Sequence, residues 1–537
     1  MKKKRAFLLS LFLFFLLAAV YYIVTLQASD DTEFDSRSLP ASSVVPNTAS
    51  TTAEEYRRVA NGTEGPTLEI STRSLETRET EDKLTIERQQ QVKNMIKHAW
   101  DGYEKYAMGQ NELKPISRTH NSRSMFSSSP IGATLVDSLD TLYVAGLMDE
   151  YNRAKKWVKD HFDISQVSSG LSFFEVNIRF IGGFISAYQL TGEEVFKDKA
   201  IEVAKRFNPA FNTQSGLPKP IVKMKTGETE FWGWIPGQCS LLSELGTLHL
   251  EYQSLSYLSN DKSYLEKVLR IRNKLRAVRS SEGFYYTMFS IQSGHWCNRH
   301  VSLGAYSDSF YEYLLKVWLL TNKEDTESKD MFYEAIDALD TRMFEFVSEK
   351  KLFVISDLRN GQRDGKMQHL ACFAGGMFAL ASVHATNGKS QHYMDIAKNI
   401  TRTCHESYVS SVTKLGPDIF GIGSSGKVNN VNPKYILRPE TVESYFYLWR
   451  LTRDPMYREW GWELVQALEK YCKVSTGGYT GLRNVNSPDS RDDEQQTFFL
   501  SETLKYLYLL FSDDKVVSLD EWVFNTEGHP LRIINQK

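Results

Sequence analysis

The sequence predicts an all-α protein: roughly fourteen helices, paired as seven hairpins around a cavity, in one domain spanning residues 89–537. Three observations carry this. From about residue 89 to the C-terminus, apolar residues recur at helical spacing. A short turn of similar composition recurs about every 65 residues, which suits one helical hairpin per repeat. Finally, the stretch 172–190 is apolar on most sides, with Phe174, Ile178, Ile181 and Ile185 on one face. Its polar residues, Glu175, Arg179, Gly182 and Ser186, fall on one narrow stripe. A surface helix has a wide charged face, so a narrow stripe on a buried helix predicts a lined cavity.

The elements follow in order. Lys2, Lys3, Lys4 and Arg5 make a short basic tail, residues 1–5, ahead of an apolar run over residues 6–26. About 20 such residues span a bilayer as a helix. Basic residues before the run and Asp30-Asp31 after it orient the C-terminal bulk away from the cytosol. The run is long for a signal peptide and lacks a small-residue cleavage site, so it reads as an uncleaved transmembrane anchor. Residues 27–88, rich in Ser, Thr, Glu and Arg and without a sustained apolar period, read as a lumenal stem. Asn61-Gly62-Thr63 and Asn399-Ile400-Thr401 are glycosylation acceptors on that side of the membrane.

The composition is that of a globular protein, 41% hydrophobic and 24% charged, and a net charge of −2 gives no attraction to nucleic acid. There are five cysteines, so at least one is unpaired within the chain. A lumenal setting permits disulfides, and spacing alone does not choose the pairs.

Helices are expected near 89–110, 132–147, 148–162, 172–190, 193–207, 240–259, 261–278, 305–321, 326–346, 368–386, 389–410, 440–452, 454–471 and 497–512. The recurring turn carries Thr191, Ser259, Thr321, Thr386 and Thr452. Its period exceeds that of TPR or HEAT repeats. Some 12 to 17 residues before the turns stand Glu175, Glu244, Asp308 and Glu440, with His369 in the same place once. Asp137 and Glu502 take similar positions in the first and last hairpins. Around a common axis these acids meet at one end of the cavity, where mutual repulsion can separate acid and base roles. Taken singly, Asp308 also reads as a helix cap, and Glu440 and Glu443 behind Pro439 as ordinary first-turn acids. The segment Val523–Pro530 ends in Gly528 and Pro530 and is a turn or short hairpin. It concentrates a hydroxyl, a carbonyl and a carboxylate, an oxygen set suited to calcium.

Five stretches then occur in order: Phe174-Glu175-Val176-Asn177-Ile178-Arg179, Asp308-Ser309-Phe310-Tyr311-Glu312-Tyr313, Leu437-Arg438-Pro439-Glu440-Thr441-Val442-Glu443-Ser444, Phe498-Phe499-Leu500-Ser501-Glu502-Thr503 and Phe524-Asn525-Thr526-Glu527-Gly528-His529-Pro530. Together they closely resemble class I α-1,2-mannosidases, glycoside hydrolase family 47, over essentially all of residues 90–537. Asn111–Ser117 and Gly246–Glu251 look most like the Golgi branch of that family.

The resemblance implies an (αα)7 barrel plugged by a C-terminal β-hairpin. It implies a calcium ion on the hydroxyl and carbonyl of Thr526, and inverting removal of terminal α-1,2-linked mannose from high-mannose N-glycans. By motif, Glu175 is the general acid, acting directly or through a water, Glu440 is the base, and Asp308 is a third essential carboxylate. Arg179, Glu244, His369, Asp418, Arg438, Glu443, Phe498, Glu502 and Glu527 fall at substrate- or calcium-shell positions. The family disulfide is Cys372–Cys404. The chain departs from the pattern at Asp418, where the family usually has Glu, and at Tyr306, where the endoplasmic reticulum branch has Arg. Two rival readings remain: a zinc enzyme using His295, Cys297 and His300, and a non-catalytic high-mannose-binding protein on the same scaffold.

Overall fold

A computed structural model describes residues 72–122, 125–126, 129–347 and 350–535. The expected tail (1–5), the expected membrane anchor (6–26), most of the expected stem and Asn61 lie outside the described residues. Among the described residues, no helix is long and apolar enough to cross a membrane.

The helices, in chain order, are α1 (Thr72–Ala107), α2 (Ala133–Asp137), α3 (Leu139–Val144), α4 (Met148–His161), α5 (Phe173–Val176), α6 (Gly182–Thr191), α7 (Glu194–Arg206), α8 (Leu242–Gly246), α9 (His249–Ser259) and α10 (Lys262–Ala277). They continue as α11 (Asp308–Leu320), α12 (Thr326–Met343), α13 (Ala374–His384), α14 (Ser390–Val409), α15 (Glu440–Thr452), α16 (Met456–Ala467) and α17 (Leu504–Leu510). The first helix begins earlier than residue 89, inside the expected stem, because its opening turns carry few apolar residues to mark them.

Most expected helices are present, but several are broken where one continuous helix was expected. A π-turn at Asn177–Ile181 separates α5 from α6, and another at Phe499–Thr503 precedes α17. Each inserts a residue into the i→i+4 ladder, a feature that periodicity over a short window does not register.

Helix contacts follow the hairpin pattern. The pairs are α3 with α4, α6 with α7, α9 with α10, α11 with α12, α13 with α14, and α15 with α16; α17 packs on α1. The first members also touch in sequence, α3 to α6, α9, α11, α13, α15 and α17, and the π-turn before α17 returns to α3. One continuous apolar core fills the space between them.

The turn that recurs in the sequence has a structural cause. Thr191, Ser259, Thr321 and Thr452 each donate a hydroxyl proton to the carbonyl four residues back, at 2.6, 2.6, 3.0 and 2.6 Å. Each also accepts a backbone N–H from the start of the next helix, at 3.2 to 3.3 Å. The hydroxyl thus closes one helix and opens the next. The fifth copy differs, since α13 ends at His384 and Thr386 lies beyond it.

Short antiparallel strands, not expected from the sequence, lead into the inner helices. Gly170–Ser172 pairs with Ile221–Lys223 just ahead of α5, and Ser240–Leu241 pairs with Met288–Phe289 just ahead of α8. Lys366–Gln368 pairs with Ile419–Ile422 just ahead of His369. These ladders fix where each inner helix starts, and therefore where its first-turn side chains point.

The C-terminal segment is a hairpin of strands Trp522–Phe524 and Pro530–Arg532. It packs against α6 and α11. Gly182 faces it so closely that a Cβ there would lie 2.4 Å from Asn525 Nδ2. Asn525 donates to the carbonyl of Ile178 at 2.9 Å, within the π-turn, and to Glu251 at 2.8 Å.

Candidate active site

The first turns of the inner helices surround a cavity of about 490 Å³. Eight carboxyl groups line it, namely Glu175, Glu244, Asp308, Glu312, Glu440, Glu443, Glu502 and Glu527, against only two arginines, Arg179 and Arg438. Thr526 and Phe498 also face it. Helix N-termini favour negative charge, which lowers the cost of gathering the acids carried by first turns.

Glu440, the first residue of α15, is the best-compensated acid. Its Oε2 is 2.6 Å from His369 Nδ1, and Arg438 Nη1 is 3.5 Å from its Oε1. Burial pushes its carboxyl up, but the His369 ring and the Arg438 guanidinium outweigh burial and hold it below its ordinary value. His369 itself is fully buried and does not line the cavity; its other nitrogen is 2.6 Å from the Tyr408 hydroxyl. Asp418 likewise stands one layer out, accepting from Arg438 Nε at 2.7 Å. Of the expected substrate-binding residues, these two touch the cavity wall rather than the cavity.

Asp308, the first residue of α11, lies in a drier setting. Burial pushes it up to about 7, only partly offset by the Ser309 N–H, which it accepts at 2.8 Å. Glu244 is pushed up to about 7 by burial, against hydrogen bonds from the Trp232 indole at 2.5 Å and the Leu241 N–H at 3.3 Å. Non-glycine residues in the left-handed region precede both α11 and α15: Tyr306 at φ 80° and Leu437 at φ 67°. Backbone strain of that kind costs about 1–3 kcal/mol and persists where surroundings enforce it. Ser243 N donates to Tyr306 O at 2.9 Å, and Thr503 Oγ1 to Leu437 O at 2.6 Å.

Glu175 accepts from Arg179 Nε at 3.0 Å. Arg179 also donates to Thr497 Oγ1 at 3.0 Å, to Asp137 at 3.3 Å and to Glu527. Asp137 is therefore beneath the cavity, where it also meets His529 at 3.1 Å. The lower half of the expected polar stripe is buried there too: Ser186 donates to Asp140 at 2.9 Å, and Gly182 seats the hairpin.

A model of glycosyl hydrolase family 47 matches residues 95–533. The chain belongs to that family. It is 48% identical over 459 residues to mannosyl-oligosaccharide 1,2-alpha-mannosidase IB of Homo sapiens, covering 85% of this chain and 71% of that protein. It is 49% identical to mannosyl-oligosaccharide 1,2-alpha-mannosidase IA of Sus scrofa, covering 86% and 70%. The solved alpha-1,2-mannosidase from Trichoderma reesei superposes with a TM-score of 0.77 at 26% identity, covering 83% of this chain and 99% of that one.

Within this family 47 cavity, the floor suits a hard cation. Glu502 and Glu527 are pushed well above their ordinary values by burial and by neighbouring carboxylates. Glu443 is pushed up to about 8 by burial, despite Lys316 Nζ at 3.9 Å. Carboxyl groups outnumber cationic side chains in the lining that Thr526 shares, an oxygen-rich set that suits a hard cation. Among the described residues, no three Asp, Glu, His or Cys side chains converge as direct ligands. A hard cation here would be held by the Thr526 hydroxyl and carbonyl rather than by a cluster of carboxylates.

The zinc reading falls, because Cys297 is bonded to Cys239 and His300 Nε2 is 2.9 Å from Asp357. The expected Cys372–Cys404 bridge is present, and Cys472 is free and buried. The Cys239–Cys297 bridge was not expected, since 58 residues of sequence separate its ends and nothing local signals the pairing. Trp232, Trp234 and Glu312 also line the cavity without having been expected there. Glu312, one turn after Asp308, was open to a helical reading, and two tryptophans in a Gly- and Pro-containing loop were a signal as well. Asn399 is half-buried in α14 and the Thr401 hydroxyl is wholly buried, so that acceptor is not in an exposed loop.

Proposed function

We propose that this family 47 chain is a calcium-dependent, inverting exo-α-1,2-mannosidase that trims terminal mannose from high-mannose N-glycans. The observation that carries the reading is the convergence of Glu175, Asp308 and Glu440, from three separate helices, on one cavity that Thr526 also lines. The names of the similar proteins support the substrate class. The closed circuit of paired helices supports an (αα)7 barrel with the C-terminal hairpin as its plug.

Inversion requires one carboxyl to protonate the leaving oxygen while another takes a proton from a water attacking the opposite face. Glu440 is the base: ionised through contact with His369 and Arg438, it accepts the water's proton. Glu175 delivers the proton to the glycosidic oxygen, directly or through a water, and Arg179 fixes its carboxyl orientation. Asp308, pushed up to about 7 by burial, changes charge near neutrality and is available as a third carboxyl beside the reacting bond. Phe498 offers an apolar face to the sugar, with the Arg179 guanidinium 5.9 Å from its ring centroid. Calcium, held by the Thr526 hydroxyl and carbonyl, would bind sugar hydroxyls and orient the ring. The apolar run over residues 6–26 would anchor the chain in the Golgi membrane with the helical domain in the lumen.

The test is digestion of a high-mannose glycan by the full-length chain, with and without a chelator. The expected product is mannose, released first as the β-anomer and lost on chelation. Intact glycan at saturating calcium would favour the binding-protein reading. Protease protection of the membrane fraction tests the orientation.

A further inference from the structure

We propose that the Cys239–Cys297 disulfide is a clamp that holds Trp232 and Trp234 as a sugar-stacking wall at the cavity mouth, so that reducing it weakens the grip on extended oligosaccharides. This rests on the mannosidase reading above and adds a positioning element to it.

The wall is built from three rings. The centroids of Trp232 and Trp234 are 6.3 Å apart with planes tilted by 36°, and those of Trp234 and Tyr306 are 6.1 Å apart with a tilt of 38°. All three line the cavity, yet Trp234 is 55% exposed and Tyr306 36% exposed. Large aromatic faces left open beside a polar pocket mark a binding surface. The C–H bonds on the apolar face of a pyranose are slightly positive and rest well on the negative face of an aromatic ring. A neutral sugar unit beyond the cleaved linkage is therefore the ligand this wall suits.

The loop that carries the tryptophans has little else to hold it. Within 231–239, the backbone hydrogen bond is Ile235 N to Trp232 O at 3.2 Å. Gly237 and Gln238 both take left-handed φ values, 71° and 54°. At its start, Phe231 packs against the main core with Lys219 Nζ 5.5 Å from its ring centroid; beyond it the loop's polar and covalent ties are Trp232 to Glu244, Gln292 to Gln238 at 3.2 Å, and the disulfide. Cys239 is buried with Ile235 and Leu241 in a small separate cluster, against which Trp232 packs. Its partner Cys297 is anchored to a different element, its N–H donating to Met288 O at 2.9 Å. The bridge therefore ties the aromatic loop to the strand pair that leads into α8 and Glu244.

The two disulfides differ in access. Cys372 and Cys404 are fully buried, whereas Cys297 is exposed. A dithiol reaches the Cys239–Cys297 bond first. It supplies two electrons and two protons, the S–S bond becomes two thiols, and the dithiol closes to its own disulfide. The released loop then spreads over many conformations, and the stacking surface has to be reordered at each binding event.

The experiment compares the wild type with a Cys239→Ser/Cys297→Ser double variant and with Trp234→Ala. Steady-state mannose release from a free high-mannose oligosaccharide gives kcat and KM, and binding of the same oligosaccharide is titrated in a Glu440→Gln background. Losing one aromatic stack corresponds to about a tenfold weaker Kd and higher KM for Trp234→Ala. The double variant is expected to raise KM and Kd about three- to tenfold with kcat within about twofold. A merely structural bridge would instead lower the active fraction, reducing kcat at unchanged KM, and that result overturns the proposal. If the double variant does not fold, brief dithiol treatment of the wild type replaces it, and an unchanged Kd overturns the proposal equally. Absence of both mannose release and oligosaccharide binding in the wild type would instead bring down the mannosidase reading, and the wall with it.

Discussion

Gly182→Ala is a severe test of how the hairpin is seated. A Cβ at 182 would lie 2.4 Å from Asn525 Nδ2 and 3.4 Å from His529 Cδ2. Carbon atoms pack at about 3.5–4.0 Å, so the Asn525 side chain has to retreat by about 1 Å. It is not free to do so. Its amide donates to Ile178 O at 2.9 Å and Glu251 at 2.8 Å, and its oxygen accepts from the N–H groups of Glu527 and His529, both at 2.9 Å. Overpacking costs about 1–3 kcal/mol, and each of the two donated bonds adds about 1 kcal/mol if lost. The expected destabilisation is roughly 3–5 kcal/mol, read as a drop of several degrees in thermal inactivation at fixed scan rate. Because Asn525 and Thr526 are adjacent, mannose release should fall as well, at a temperature where the variant is still folded. Gly423→Ala is the control: the nearest atom to a Cβ there is Asn429 Nδ2 at 3.4 Å, an ordinary contact. A Gly182→Ala protein that melts and turns over like wild type would refute the close seating of the hairpin, and with it Thr526 as the cavity floor.

Three further outcomes follow from the electrostatics. His369→Phe removes the hydrogen bond that helps depress the Glu440 carboxyl. A bond to a charged group is worth about 1.5–3 kcal/mol, so the acidic limb of kcat/KM should move up by about 1–2 pH units; an unmoved limb would remove Glu440 from the role of base. The carboxyls of Asp308 and Glu244, at about 7, and Glu443, at about 8, are raised above their unfolded values. Their contribution to stability is full below about pH 4 and is lost as pH rises through 7 to 8, which is where an added cation offsets their repulsion. Millimolar calcium should therefore raise the melting temperature more at pH 8 than at pH 5, and equal shifts in differential scanning would contradict the metal assignment. Arg179→Met strands Asp137, Glu175 and Glu527 without their shared partner. Breaking such buried pairs costs about 3–5 kcal/mol, and recovery of native-like soluble protein would show that another cation serves them.

The parts of this molecule legible in its sequence are those written by local chemistry. The repeat was visible because a hydroxyl at 191, 259, 321 and 452 does the same work each time, ending one helix and starting the next. The acids were visible because they recur some 12 to 17 residues before that turn. Long-range geometry was less legible. His369 keeps the register of the acids but points into the wall, since Tyr408 and Glu440 hold both its nitrogens. The π-turn at 177–181 shifts the stripe beneath it, so that Glu175 and Arg179 reach the cavity while Ser186 meets Asp140 in the interior. No window of sequence records the pairing of Cys239 with Cys297, because Met288 and the loop at 231–239 are brought together only by the strand pair between them.

The site also shows where the fold spends its stability. Eight carboxyls around one cavity are a poor way to hold a protein together, and two arginines do not neutralise them. The surrounding construction addresses the deficit from outside the cavity. Helix N-termini face it, short ladders lock the approach to three inner helices, and two left-handed residues fix the chain before Asp308 and Glu440. What remains uncompensated is concentrated on the floor, at Glu443, Glu502 and Glu527, rather than at Glu440, where His369 and Arg438 supply the counter-charge. That asymmetry has chemical meaning. A base has to be ionised before the substrate arrives, so its compensation is built into the protein. On the proposed reading, the floor carboxyls would leave theirs to a cation, which would link the stability of the fold to occupancy of the sugar site.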